Sequence, residues 1–508
     1  MEFEPRPQLQ FQVSASSSAP LVRAFKRSRI PGYVWPTLFT AFGGFLWGYD
    51  TGSIGPIIVM PQFESQFGPL SATLQGLLVS SMIATAAFAA VFSGSLSDRI
   101  SRTYTISLGA LVYSVGCAIA CSAMALPQLF IGRCIAGLGE GIFISNITIY
   151  VMEISPTSKR GRTMTTVQLF NTLGVAGGYF TCFGSVKQAG SISWRIPLGL
   201  QAVVAIILCI GTPFFPHSPH WLLSVGRPAE AEAAAIKLGL QLTEIRKQDE
   251  AATVSTGAQV VKQDWKQQAK ELWAKDVRFR TFFGLFLMGM QQACGIDAVL
   301  YYAPVLFQQA GLSSTTASFL ASGVSGILMV ILTAGSQFFQ DRWARRTQMI
   351  SGGSVIAGCM LLMGILYATG AAQTQAGGRT LIALIYIFIA AFITSWAVVI
   401  RVIASEIQPK RTRAPATSLA QCFGWAVNWI IAFSTPLFLK RSISGPYFLF
   451  GGCALLTVLV CIVFQPETKG LSLEMLDQEF KETKLQSAVK RYFGSKSGRS
   501  TAVELANL

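Results

Sequence analysis

About twelve runs of mostly apolar residues divide this chain, each near the roughly 20 residues that carry a helix across a bilayer. They fall near 34–57, 74–96, 104–124, 128–150, 164–184 and 196–215, then near 281–307, 314–338, 347–369, 380–403, 414–438 and 444–464. Only 13% of the 508 residues are charged, against about 25% in soluble domains, so little chain is left for a large soluble domain. The net charge of +16 would fit a nucleic-acid binder only if the bases formed a continuous stripe. They fall in alternate loops instead, which is the mark of membrane topology. The chain therefore reads as an all-α membrane protein whose solvent is the lipid bilayer, with no nucleic acid as partner.

The basic residues also set the orientation. Arg23, Lys26, Arg27 and Arg29 precede the first run, Arg99 and Arg102 follow the second, and Lys159, Arg160 and Arg162 follow the fourth. Arg342, Arg345 and Arg346, then Lys410, Arg411 and Arg413, repeat the pattern, while loops such as Ala125–Gln128 and Ala310–Thr316 carry no charge. Positive-inside places both termini in the cytoplasm, with the polar, helix-prone stretch Pro228–Lys275 as a surface linker. The expected division is a tail at 1–33, a six-helix bundle at 34–215, the linker at 216–278, a second bundle at 279–464 and a tail at 465–508. No apolar signal region precedes Arg29, so the first span is expected to serve as its own insertion signal. Ten cysteines without a C-x-x-C pair read as small core hydrophobes rather than disulfides or a zinc site.

One stretch breaks the apolar rule. Gln291-Gln292-Ala-Cys-Gly295-Ile-Asp297-Ala-Val-Leu-Tyr301-Tyr302 puts amides, a carboxylate and phenols inside a membrane-length segment. An ionisable group at that depth costs about 2.5–3.5 kcal/mol or more unless it faces a cavity or a partner. On a continuous helix Gln291, Gln292, Asp297 and Tyr301 share one face, so the spacing predicts the wall of a solvated central path. The plainer reading is that these groups bond helix to helix.

The two halves resemble each other. Asp98-Arg99-x-x-Arg102 after the second span matches Asp341-Arg342-x-x-Arg345-Arg346 after the eighth, and Glu153-Ile-Ser-Pro156 matches Glu406-Ile-Gln-Pro409. Such a repeat reads as two six-helix halves about an axis along the membrane normal. To it are added Gly43-Gly44-Phe-Leu-Trp-Gly48-Tyr49-Asp50-Thr51-Gly52, Arg133-x-x-x-Gly137-x-Gly139-x-Gly141 and Tyr150-x-x-Glu153-x-x-Pro156. Gln168, Trp194-Arg195-x-Pro197-x-x-x-Gln201, Pro216-x-Ser218-Pro219-x-Trp221-Leu222 and Pro466-Glu467-Thr468-Lys469-Gly470 complete the set. With these motifs the chain resembles the sugar porter family of the major facilitator superfamily, most closely its fungal members, from about Gly43 to Leu473. The resemblance implies the major facilitator fold: twelve transmembrane helices in two six-helix pseudo-repeats with a cytoplasmic helical linker, working by alternating access.

It further implies a cytoplasmic gate in which Asp98, Arg99, Glu153 and Arg160 act with Asp341, Arg342, Arg346 and Glu406; ordinary loop anchoring by the same charges is the alternative. Asp50 and Arg133 occupy the positions at which proton-linked members carry a coupled acid and base, against a purely structural ion pair. Three departures stand near the gate. Ser101 and Thr103 replace a usual glycine and base, and His217 with His220 interrupts the Pro-Glu-Ser-Pro-Arg signature. Both histidines are expected to be exposed and to titrate near neutrality.

For substrate, the resemblance points to Gln168, Gln291, Gln292, Asp297, Tyr301, Trp425 and Asn428. Asp297 stands where Asn is usual, and Met329 and Gly424 replace common asparagines. In the tenth span Ser395-Trp396-Ala-Val-Val-Ile-Arg401 lacks both customary prolines and puts Arg401 where a tryptophan is expected. Arg401 is expected to pair with Asp297, to bind a carboxylate on the substrate, or to reach the gate near Glu406. The expected function is secondary transport of a sugar, polyol or related small polar solute with protons, by a monomer in the plasma membrane. The alternatives are a carrier of a carboxylate or other non-sugar, and a nutrient sensor, which the 44 residues after the last span disfavour. No cofactor and no enzymatic constellation is expected.

Overall fold

The computed structural model describes residues 31–156, 159–241, 270–275, 277–312, 314–339, 343–409 and 412–469. Most of both expected tails, the middle of the linker, and the gate residues Asp341 and Arg342 lie outside them. The first half consists of Val34–Thr40 with Phe42–Ile58, then Ala72–Ile100, Arg102–Cys121, Leu126–Glu153, Arg160–Ser185 and Ile192–Gly211. Pro219–Ser224 and Pro228–Leu238 form the described part of the linker. In the second half, Arg278–Ala293, Ile296–Tyr301 and Ala303–Gln309 precede Thr315–Phe339, Arg345–Ala368, Gln375–Thr394 with Trp396–Glu406, Arg413–Arg441 and Gly445–Phe464. These are the twelve spans. Ten candidate spans are long and apolar enough to cross a bilayer by length and composition. The other two are the first, divided at Ala41, and the fifth, Arg160–Ser185, which is rich in Thr, Gln and Asn.

Large apolar side chains cover the outside of the bundle: Phe88, Val91 and Phe92 on the second span, Ile207 and Ile210 on the sixth, Ile331 on the eighth. So large an exposed apolar surface has lipid as its natural solvent. Inside, the first and fifth spans touch backbone to backbone. A Cβ on Gly48 would lie 1.9 Å from the Asn171 carbonyl oxygen, which is why the sequence keeps small residues on this face.

The halves meet mainly in the part of each span away from the linker. Gly55 of the first span lies so close to the Tyr301 carbonyl that a Cβ would sit 1.8 Å from its oxygen. Gly76 packs the same way on Phe433, and Gly326 on Ala176. The Tyr179 hydroxyl donates to the Leu300 carbonyl at 2.6 Å. At mid-depth Trp47 and Trp425 stack across the halves, ring centroids 6.2 Å apart.

Two spans differ from the sequence expectation. The seventh is not one helix. It stops at Ala293, passes through Gly295 at φ 86, and restarts at Ile296. Glycine pays no Cβ penalty for that left-handed turn. The break destroys the single face expected to carry Gln291, Gln292, Asp297 and Tyr301. The tenth span breaks at Ser395 without a proline, and the Ser395 hydroxyl donates to the Ala391 carbonyl at 2.5 Å. A hydroxyl that bonds a backbone carbonyl one turn back is a recognised way to bend a helix.

Candidate functional site

The centre of the first half is built on Arg133, which the fourth span buries almost completely. Its Nη1 and Nη2 donate to Asp50 Oδ1 and Oδ2 at 3.0 and 3.1 Å, and its Nε donates to the Leu78 carbonyl at 2.8 Å. This bidentate fork is the strong form of the ion pair. Gln201 Nε2 donates to Ser53 Oγ at 3.0 Å and more weakly to Asp50, while Tyr113 donates to Gln201 Oε1. Asp50 is thus bonded directly from the fourth and sixth spans.

Sequence reasoning missed Glu140. It is buried on the fourth span, seven residues from Arg133, and makes no hydrogen bond or ion pair among the described residues. Two helical turns, about 10 Å, separate the two on one face, with Glu140 on the linker side of the pair. Asp50 and Arg133 are within its electrostatic reach. A lone carboxyl two turns from a buried arginine in an apolar run was a readable signal.

The expected substrate residues fare unequally. Gln291 is buried, and its Nε2 donates to the backbone carbonyls of Trp396 and Ala397, joining the seventh span to the tenth. Tyr301 is buried at the contact between the halves, beside Thr51. Gln168, Gln292, Asp297 and Trp425 each keep part of their surface open, and Asn428 holds a buried Oδ1 that has no partner among the described residues. Met329 lies in the apolar core of the second half, and Gly424 packs beside the Met288 backbone.

Arg401 is the exceptional residue. Its side chain is solvent-exposed although protein surrounds it. That combination marks the wall of an internal solvent-filled space. It feels the charge of Asp297, yet the two form no ion pair. Nor does Arg401 reach the gate, where Glu406 instead accepts a hydrogen bond from Thr468 Oγ1.

Several of the gate charges bond within their own half. Arg102, not Arg99, holds Glu153, at 3.3 Å, and it also pairs with Asp98. Arg99 is exposed. Arg160 Nε donates to the Met152 carbonyl, and Arg346 Nη2 to that of Ile462. Glu467 accepts from the backbone amides of Arg345 and Arg346.

His217 is half-buried rather than exposed, and the departures from the family pattern meet there. Ser101 Oγ and Thr103 Oγ1 each lie 2.8 Å from His217 Nδ1. Ser101 holds a φ of 98, which explains the customary glycine. Burial first, then Arg227, lowers the His217 pKa from its ordinary 6.5. A lowered folded-state pKa favours the neutral ring, so its contribution is complete above about pH 6.5 and fades as pH falls through the folded value. Thermal unfolding should therefore lose stability between pH 7.5 and pH 5, and His217→Gln should flatten that loss; an unchanged slope would contradict the assignment.

Residues 37–480 match the family described as sugar (and other) transporters. The low-affinity glucose transporter HXT1 of Saccharomyces cerevisiae is 30% identical over 465 residues, covering 88% of this chain and 81% of that one. The high glucose sensor RGT2 of the same yeast is also 30% identical, over 88% of this chain and 60% of its own length. Among solved structures, the inward-open xylose transporter XylE from E. coli superimposes with a TM-score of 0.72 at 23% identity, over 88% of this chain and 99% of that one.

Proposed function

This chain belongs to that family of sugar and related transporters, and from that premise we propose that it carries a small polyhydroxylated solute by alternating access, coupled to protons. The single observation that carries the coupling is the Asp50–Arg133 fork buried in apolar surroundings. A buried ion pair gains little stability over apolar packing, so a sequence that keeps one at mid-bilayer has a use for it. Protonating Asp50 releases Arg133, and the unpartnered Glu140 gives the freed guanidinium a second counter-charge toward the linker. The two conformations then differ in proton affinity, which is what coupling requires.

The contacts between halves fit one end of such a cycle. They close the bundle away from the linker, where Gly55 meets Tyr301, Gly76 meets Phe433 and Tyr179 bonds Leu300. With the linker and both termini in the cytoplasm, as the basic loops indicate, the central space faces inward. Gln168, Gln292, Asp297, Trp425 and Asn428 supply amides, a carboxylate and a ring face for hydroxyls and sugar carbons. Gln291 acts from behind by fixing the tenth span, and Met329 and Gly424 shape the wall by packing. The plasma membrane is the proposed location and a monomer the working unit.

The test is uptake of labelled hexoses, pentoses, polyols and sugar acids into proteoliposomes, with and without an imposed pH gradient. A gradient-dependent accumulation of at least one solute supports the reading. Counterflow that is indifferent to the gradient would leave a facilitative carrier and remove the proton step.

A further inference from the structure

Arg401 decides what kind of solute the central space will hold. On the helix Trp396–Glu406, Ala397, Val399, Ile400, Ile403 and Ala404 are buried, whereas Val398, Arg401, Val402 and Ser405 are more open. Those four positions recur at three- and four-residue steps, so they form one stripe; Arg401 is the charge midway along it, and Glu406, which continues the stripe at the helix end, is held by Thr468 Oγ1. Gln291 fixes the start of this helix by bonding the Trp396 and Ala397 carbonyls, and Trp396 Nε1 donates to the Met349 carbonyl. The stripe is therefore held rigidly toward the solvent.

The guanidinium has no hydrogen bond or ion pair among the described residues. Asp297 lies within electrostatic reach without forming an ion pair with it. Water solvates the guanidinium while the space is open, but once the halves close over a solute a cation with no direct partner is expensive. A neutral sugar would leave it so. A carboxylate would meet it through two parallel N–H···O bonds, the geometry for which arginine is built.

We propose that the solute is a small hydroxylated monocarboxylate, a sugar acid, whose carboxylate is clamped by Arg401 and whose hydroxyls face Asp297. The assignment rests on the carrier reading above and names the substrate class of the same site. Asp297 fixes the orientation. Turned around, the solute would set carboxylate against carboxylate, whereas in the proposed pose its hydroxyls donate to Asp297 Oδ atoms. The Gln292 and Gln168 amides can accept from or donate to the remaining hydroxyls, and Asn428 Oδ1, which has no partner among the described residues, can accept from one.

The experiment uses the full chain in two formats: binding of gluconate, glucuronate and glucose to purified protein, and counterflow of the same three in proteoliposomes. Wild type is expected to bind and exchange the acids in preference to glucose. Arg401→Gln should weaken acid binding roughly 10- to 100-fold, the range for a charge-assisted hydrogen-bonded pair, with glucose affected less. Arg401→Lys, which keeps the charge without the fork, should fall between them. Glucose exchange without acid binding overturns the substrate class and leaves the carrier standing. Acid binding that depends on Arg401 without exchange supports the clamp and overturns the carrier. Acid binding that Arg401→Gln leaves unchanged, or no binding of any of the three, overturns the assignment.

Discussion

Asp50→Asn should reduce solute accumulation under a pH gradient to the equilibrium level while counterflow persists within a few-fold of wild type. One proton per solute lets each pH unit support up to about tenfold accumulation, so the loss is large and easily read. The substitution keeps an oxygen that can accept from Arg133 Nη1, in place of the 3.0 Å contact present now. It removes the titration. Asp50→Ala should behave differently, because it strips the carboxylate from an arginine that is almost fully buried. Breaking a buried pair from one side costs about 3–5 kcal/mol, so this variant is expected to lose thermal stability and expression as well. The two variants separate coupling from folding: Asp50→Asn that still accumulates solute would show the fork to be purely structural.

Gly55→Trp should cut net uptake by more than tenfold while solute binding changes little. No side chain fits between Gly55 and the Tyr301 carbonyl, where even a Cβ would lie 1.8 Å from oxygen. The halves must part on that side to admit one. Forced overpacking costs about 1–3 kcal/mol, occasionally more, and each 1.4 kcal/mol shifts a two-state population tenfold. The protein relieves the clash by adopting the state in which this side is open, and so stops cycling. Gly55→Ala should give a graded version of the same defect. Full uptake by Gly55→Trp would mean that the contact does not separate during transport.

The spans were legible because length and apolarity alone define a membrane helix, and because Asp98-Arg99 and Asp341-Arg342 repeat at equivalent ends. The Asp50–Arg133 partnership was legible through the family resemblance of the two motifs, and the energetics of buried charge explain why the pair is intact. Breaks were harder to read. Gly295 shows in the sequence as one glycine among 47, and only its φ of 86 reveals that the helix ends there. The tenth span bends at Ser395 although its prolines are gone, because a hydroxyl can take a carbonyl that a proline would have freed. Distances between spans are not written in any single segment. That is why Ser101, Thr103 and His217 looked like three unrelated departures before the fold brought them to one point. It is also why Arg401, whose partner could not be read, turned out to have none among the described residues.

Paired interspin distances test the two-state account most directly. One pair of labels would sit at Ser71 and Ser442, exposed on the side away from the linker, and another at Arg99 and Ser418, exposed toward the linker. The account predicts that Gly55→Trp lengthens the first distance and shortens the second relative to wild type, as two halves rocking about a shared centre must. Both distances staying fixed, or both moving in the same direction, would contradict it.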